Sequence, residues 1–165
     1  MQRRSCFYRF MRMSLGVLCL SVLEVQAADR FVVSADGQEV TDTKTGLIWR
    51  RCAEGMRFNG STCTGSVKTY THENALRRAT AEGARTGVAW RLPNVKELAS
   101  IVDRSRVSPA IDPKAFPVTQ SAWFWSSSPY AGKPNDAWVV DFGDGNVDGY
   151  VNRDNTFAVR LVRGG

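Results

Sequence analysis

The sequence predicts an α+β domain. Two stretches in its first half carry apolar residues at helical spacing, strand-like runs stand at both ends, and tight-turn signals join neighbouring strands. The first run, residues 31–33, is followed by Asp36-Gly37, a hairpin signal, and then by a strand over residues 39–49 whose apolar side is Val40, Leu47, Ile48 and Trp49. A glycine-rich excursion fills residues 55–65. Thr71 reads as an N-cap, and Ala75, Leu76, Ala79 and Gly83 recur at helical spacing, which predicts a first helix over residues 72–85. After a short strand end at Trp90-Arg-Leu-Pro93, Asn94-Val-Lys-Glu97 has the pattern of a capping box. Leu98, Ile101 and Val102 then form the buried stripe of a second helix ending near Asp103. Pro109, Pro113 and Pro117 mark a loop. Strands follow at residues 123–125, 137–142, 147–152 and 157–162, with a turn at Gly143-Asp144-Gly145. Strands at both chain ends are expected to share one sheet.

Charge has to be read after the first residues are set apart. Arg3, Arg4, Arg9 and Arg12 precede a weakly polar-to-apolar run over residues 13–23, and Val25-Gln26-Ala27 supplies small residues at a cleavage position. These are the three parts of a secretory signal peptide, and the run is shorter than the roughly 20 residues that span a bilayer. The reading is a leader over 1–27 and one domain over 28–165, with no membrane span once the leader is removed. Without those four Arg and Glu24, 18 basic and 15 acidic residues remain, a net charge of +3, which does not imply nucleic acid. Cys6 and Cys19 leave with the leader. Cys52 and Cys63 remain, and in an oxidising compartment they most simply close a disulfide loop, contributing about 3 kcal/mol on the chain-entropy estimate.

Three groups of residues bear on function. Asp144, Asn146 and Asp148, followed by Gly149, alternate oxygen ligands as the front of a calcium loop does. However, the twelfth position is Asn155 and the flanks read as strands, so a plain β-turn is the competing reading and no metal or other cofactor is assigned. Arginines gather at Arg50, Arg51 and Arg57, at Arg77-Arg78 and at Arg104-x-Arg106; their forks suit sulfate, phosphate or carboxylate, the bland reading being solvated charged faces. Aromatic residues are numerous. Trp49 and Trp138 sit in strand patterns that predict burial, while Trp123, Trp125 and Tyr130 are the candidates for an exposed stacking surface. The sole histidine of the chain, His72, is expected to be exposed in a first helical turn. There is no Gly-x-Ser-x-Gly elbow, P-loop or metalloprotease helix, and with both domain cysteines in a bridge the chain is read as not an enzyme.

Five ordered blocks carry a resemblance: Val40-Thr-Asp-Thr-Lys-Thr-Gly-Leu-Ile-Trp49; Arg51-Cys52 with Cys63-Thr-Gly65; Trp90-Arg-Leu-Pro-Asn-Val-Lys-Glu-Leu98; Phe124-Trp-Ser-Ser-Ser128; and Phe157-Ala-Val-Arg-Leu-Val-Arg163. Together they resemble the Lcl C-terminal domain family, a bacterial group named from a collagen-like adhesin. The resemblance implies a fold akin to C-type lectin-like and formylglycine-generating-enzyme-like domains, a bridged cysteine pair, export and, for the adhesin branch, binding of sulfated glycans. Lys133-Pro134-Asn135 stands where calcium-dependent lectins carry Glu-Pro-Asn, with Lys in place of the liganding carboxylate.

The expectation is therefore an exported binding domain, periplasmic or extracellular, that contacts an anionic polysaccharide or another surface component. Arg50, Arg51, Arg77 and Arg78 would make the charge contacts, and Trp123, Trp125 and Tyr130 the stacking contacts. The alternative is a structural or accessory subunit of a surface appendage that binds protein and no sugar.

Overall fold

The computed structural model describes residues 29–165; the leader expected over 1–27 lies outside the described residues. The chain runs β1 (Phe31–Val33), β2 (Glu39–Asp42), β3 (Ile48–Arg50), β4 (Met56–Phe58), β5 (Cys63–Gly65), β6 (Thr69–Tyr70), α1 (His72–Thr86), α2 (Val95–Ser100), β7 (Trp123–Pro129), β8 (Asp136–Asp141), β9 (Val147–Asn152), β10 (Phe157–Ala158) and β11 (Val162–Arg163). The architecture is α+β, and strands from both chain ends share a four-stranded sheet of order β1-β2-β3-β11. A five-stranded sheet, β6-β10-β7-β8-β9, and the hairpin β4-β5 complete it. Every pairing is antiparallel except that of β10 with β7, which runs parallel through Ala158 and Phe124.

Both helix starts follow their local signals. The Thr71 hydroxyl accepts from the Asn74 amide, and α1 stops at Gly87, whose φ of 68° is the left-handed value that glycine adopts without strain. At α2 the capping box is complete: Asn94 accepts from the Glu97 amide at 2.9 Å, and Glu97 accepts from the Asn94 amide at 2.8 Å. This helix ends at Ser100, short of the expected Asp103, because the Asp103 amide donates to the Ala110 carbonyl and leaves the helical ladder.

Two expected strands are broken. The run over 39–49 splits at Asp42, whose carbonyl accepts from the Thr45 and Gly46 amides and whose carboxylate accepts from the Lys44 amide, the Thr45 hydroxyl and the Arg30 guanidinium. The run over 157–162 also splits, because β10 belongs to the five-stranded sheet, β11 to the four-stranded one, and the buried Arg160 lies between them. The glycine-rich excursion forms β4 and β5, and Cys52 and Cys63 are bridged with Cα atoms 5.7 Å apart.

The five-stranded sheet is covered on both faces. One core joins it to the four-stranded sheet and α2 through Val40, Trp49, Leu98, Phe124, Val140 and Phe142. The other packs α1 on the opposite face through Ala75, Ala79, Trp125, Val139 and Leu161. Each fully buried large side chain contributes roughly 1.5–3 kcal/mol of transfer free energy. Among the described residues no helix is long and apolar enough to cross a membrane.

Candidate binding surfaces

β3 and α1 bring together the arginines that the sequence kept apart. Arg78, Glu82 and Arg85 lie on one face of α1, where residues three and four apart are neighbours. Glu82 accepts from Arg50 at 2.7 Å, from Arg78 at 3.0 Å and from Arg85 at 2.7 Å. Arg78 also donates to Glu54 at 2.6 Å, and the Arg50 guanidinium lies 4.3 Å from the centre of a Trp90 ring. The Arg85 hydrogen bonds, with the charges of Arg50 and Arg78, hold the Glu82 carboxyl at about 2 against the opposing effect of burial.

These residues wall a cleft of about 710 Å³ beside the β4-β5 hairpin. Its lining holds four arginines (Arg50, Arg57, Arg78 and Arg85) against four carboxylates (Asp36, Glu39, Glu54 and Glu82). The cleft is therefore electrically balanced, and Arg50 and Arg78 are engaged within the protein. Arg51 points elsewhere: it stacks on Phe58 at 4.1 Å and donates to the carbonyls of Lys114 and Ala115. Arg77 is open to solvent on α1 and pairs with Glu73 at 2.6 Å. The four expected charge contacts thus do not form one patch.

The aromatic candidates separate as well. Trp125, expected to be exposed, is wholly buried under α1; its Nε1 donates to the Tyr70 carbonyl at 2.7 Å, and its rings meet His72 and Phe157. As a core residue it offers no stacking face. His72, also expected at the surface, is buried, with Nε2 3.0 Å from the Ser126 carbonyl oxygen, and burial pushes its imidazole below the ordinary value. Trp123 is half-buried and donates to Asp141 at 2.7 Å.

Tyr130 lies at the far end of β7 and belongs to a surface trio. Its ring centre is 4.6 Å from that of Tyr150 and 5.5 Å from that of Trp138, and the Lys133 ammonium sits 5.6 Å from the Tyr150 ring. Tyr150 is 65% exposed. Trp138, expected in the core, is instead half-buried, near the point where the β8–β9 register shifts. Gly149 makes room beneath the trio, since a Cβ there would come within 2.6 Å of Tyr130 and 2.9 Å of Trp138. A glycine inside a strand is the signal that could have disclosed this close approach.

Asp144 and Asn146 occupy the β8–β9 turn, and Asp148 is the second residue of β9. Asp144 accepts from both the amide and the side-chain nitrogen of Asn146, and Asp148 accepts from the Tyr150 amide. Among the described residues no three His, Cys, Asp or Glu side chains converge as a metal site would require.

Fold and bridge together define a disulfide-closed α+β domain with several ligand-sized hollows. The chain belongs to the Lcl C-terminal domain family, whose profile matches residues 38–163. No curated protein matches it.

Proposed function

We propose that the protein is an exported, non-catalytic recognition domain of C-type lectin-like architecture that binds an acidic glycan on the Tyr130–Trp138–Tyr150 platform. The observation that carries this reading is the surface aromatic trio, in which Tyr150 is exposed and Tyr130 and Trp138 are half-buried, with Lys133 at its edge. Aromatic faces carry negative potential and stack on the C–H faces of a pyranose ring, while an ammonium beside them meets a sulfate or carboxylate substituent. The reading moves the charge contact from Arg50, Arg51, Arg77 and Arg78 to Lys133, because Arg50 and Arg78 are held by Glu82, Arg51 by backbone carbonyls and Arg77 by Glu73 at 2.6 Å, whereas Lys133 makes only a long 3.9 Å pair with Asp136. It needs no calcium.

A glycan array at physiological salt, run with sulfated and unsulfated members of the same backbones, tests it. The expected result is retention of acidic members, lost in Tyr150→Ala by about tenfold, a 1.4 kcal/mol effect. Lys133→Ala should weaken binding and flatten its salt dependence. Uniform silence across the array would refute the reading.

A further inference from the structure

Trp123 separates two hollows of opposite character. On one side lies an apolar groove of about 580 Å³ walled by Val67, Ala122, Phe157 and Ala158 with the indole. On the other, a hollow of about 210 Å³ carries Asp141, Asp144, Asn146 and Asp148. No Lys or Arg lines either one. All five glutamates of the described residues are ion-paired, yet among those residues none of these three aspartates is. They are nevertheless held in place, since Asp141 accepts from the Trp123 indole and the Gly143 amide, Asp144 from the Asn146 amide, and Asp148 from the Tyr150 amide. Each carboxylate keeps further acceptor capacity, because two oxygens offer about four lone-pair sites.

We infer that these hollows receive a basic, extended segment of a partner protein, with an apolar side chain in the groove and a neighbouring Lys or Arg on the carboxylates. Charge complementarity sets the sign of the partner, and the groove sets its class. Seated in a groove, a sugar buries the hydroxyls of its rim as well as a C–H face, and only Thr69, Gln120 and Thr156 line this one to meet them, whereas a leucine or phenylalanine side chain has no hydroxyl to satisfy. The groove rim also includes Thr69 of β6, the edge strand of the five-stranded sheet, alongside which an extended chain can lie. This surface is separate from the aromatic platform and stands whether or not that platform holds a glycan.

The test follows the Trp123 indole N–H by heteronuclear NMR on the purified protein, with a blocked peptide alternating lysine and leucine, its glutamate–leucine counterpart and a glucosamine oligomer as probes. The lysine peptide is expected to give a saturable shift that added salt weakens, and the glutamate peptide none. Asp144→Asn combined with Asp148→Asn keeps an acceptor oxygen for the Asn146 and Tyr150 amides, so the thermal midpoint should hold while affinity drops at least about fivefold. Tyr150→Ala should leave peptide binding unchanged. An equal response to the glutamate peptide, no saturable shift, preference for the glucosamine oligomer, or loss of peptide binding in Tyr150→Ala would overturn the inference.

Discussion

Arg160 is a wholly buried guanidinium that pairs with no carboxylate among the described residues. Carbonyl dipoles and ring faces stand in for a counter-ion: it donates to the carbonyls of Arg50 and Arg51 and to the Thr119 hydroxyl, and it lies 4.9 Å from the Phe116 ring centre. Burial lowers its pKa to about 9, so it stays charged at neutral pH. The side chain ties the end of β3, next to Cys52, to the segment that passes from one sheet to the other. Arg160→Met would leave two buried carbonyls and a hydroxyl without their donor, an expected loss of about 2–4 kcal/mol read as a lower urea midpoint at unchanged slope. Glu82 is the converse case, one carboxylate shared by three arginines. Glu82→Gln would leave Arg50, Arg78 and Arg85 facing one another and should cost about 3 kcal/mol. The Glu82 carboxyl lies at about 2 in the fold against an ordinary 4.5, so its contribution is full above pH 4.5 and fades as pH falls toward 2. Acid unfolding of the wild type should therefore show a component in that window that Glu82→Gln lacks.

Among elements, the β4-β5 hairpin is the one most dependent on a covalent tie. Its strands have three residues each, too short for a stable two-stranded unit in water, and the bridge joins β5 to the residue that follows β3 and Arg51. Replacing Cys52 and Cys63 by alanine should remove about 2–4 kcal/mol. Hydrogen exchange should rise first over residues 55–65, while the amides of β7 and β8 keep their protection. Exchange rising equally in both would show that hairpin and sheets open together. How legible each element was depended on how local its cause is. Thr71, Asn94 and Glu97 act within one helical turn, so both helix starts could be read from sequence. The break at Asp42 was missed although Asp42, Thr45 and Gly46 are turn residues, because the β-rich composition on either side outweighed them. The break around Arg160 had no local signal, since the ligands of its guanidinium come from residues far away in the chain. The binding surfaces were less legible still. Tyr130 was singled out, but its partners Trp138 and Tyr150 arrive from two other strands, and Trp125 was placed outside because nothing in its own segment reports that α1 covers it.

At the scale of the whole molecule, the two cores meet across the five-stranded sheet, and His72 stands at the joint between that sheet and α1. Its ring contacts Trp125, and its Nε2 meets the Ser126 carbonyl of β7. Burial lowers the imidazole pKa from its ordinary 6.5, the Ser126 contact opposes this, and the charge of Arg153 adds to the lowering. The sign follows from linkage. Above pH 6.5 the ring is neutral in both folded and unfolded chains and stability is full; below it the unfolded chain takes up a proton that the folded one refuses, so stability declines as pH falls toward the folded value. The carboxyls of Asp42, Glu82 and Glu97 are all held below their ordinary values by arginine hydrogen bonds and charges, so their contributions fade only in more acid solution. The window between pH 6.5 and about 4.5 therefore isolates His72. In that window the wild-type urea midpoint should fall steadily, while His72→Gln, whose amide can still donate to the Ser126 carbonyl but does not titrate, should give a level line from a lower start. A level line in the wild type would show that the buried imidazole carries its proton in the folded protein, and that α1 is held to the sheet by a cation instead of a neutral ring.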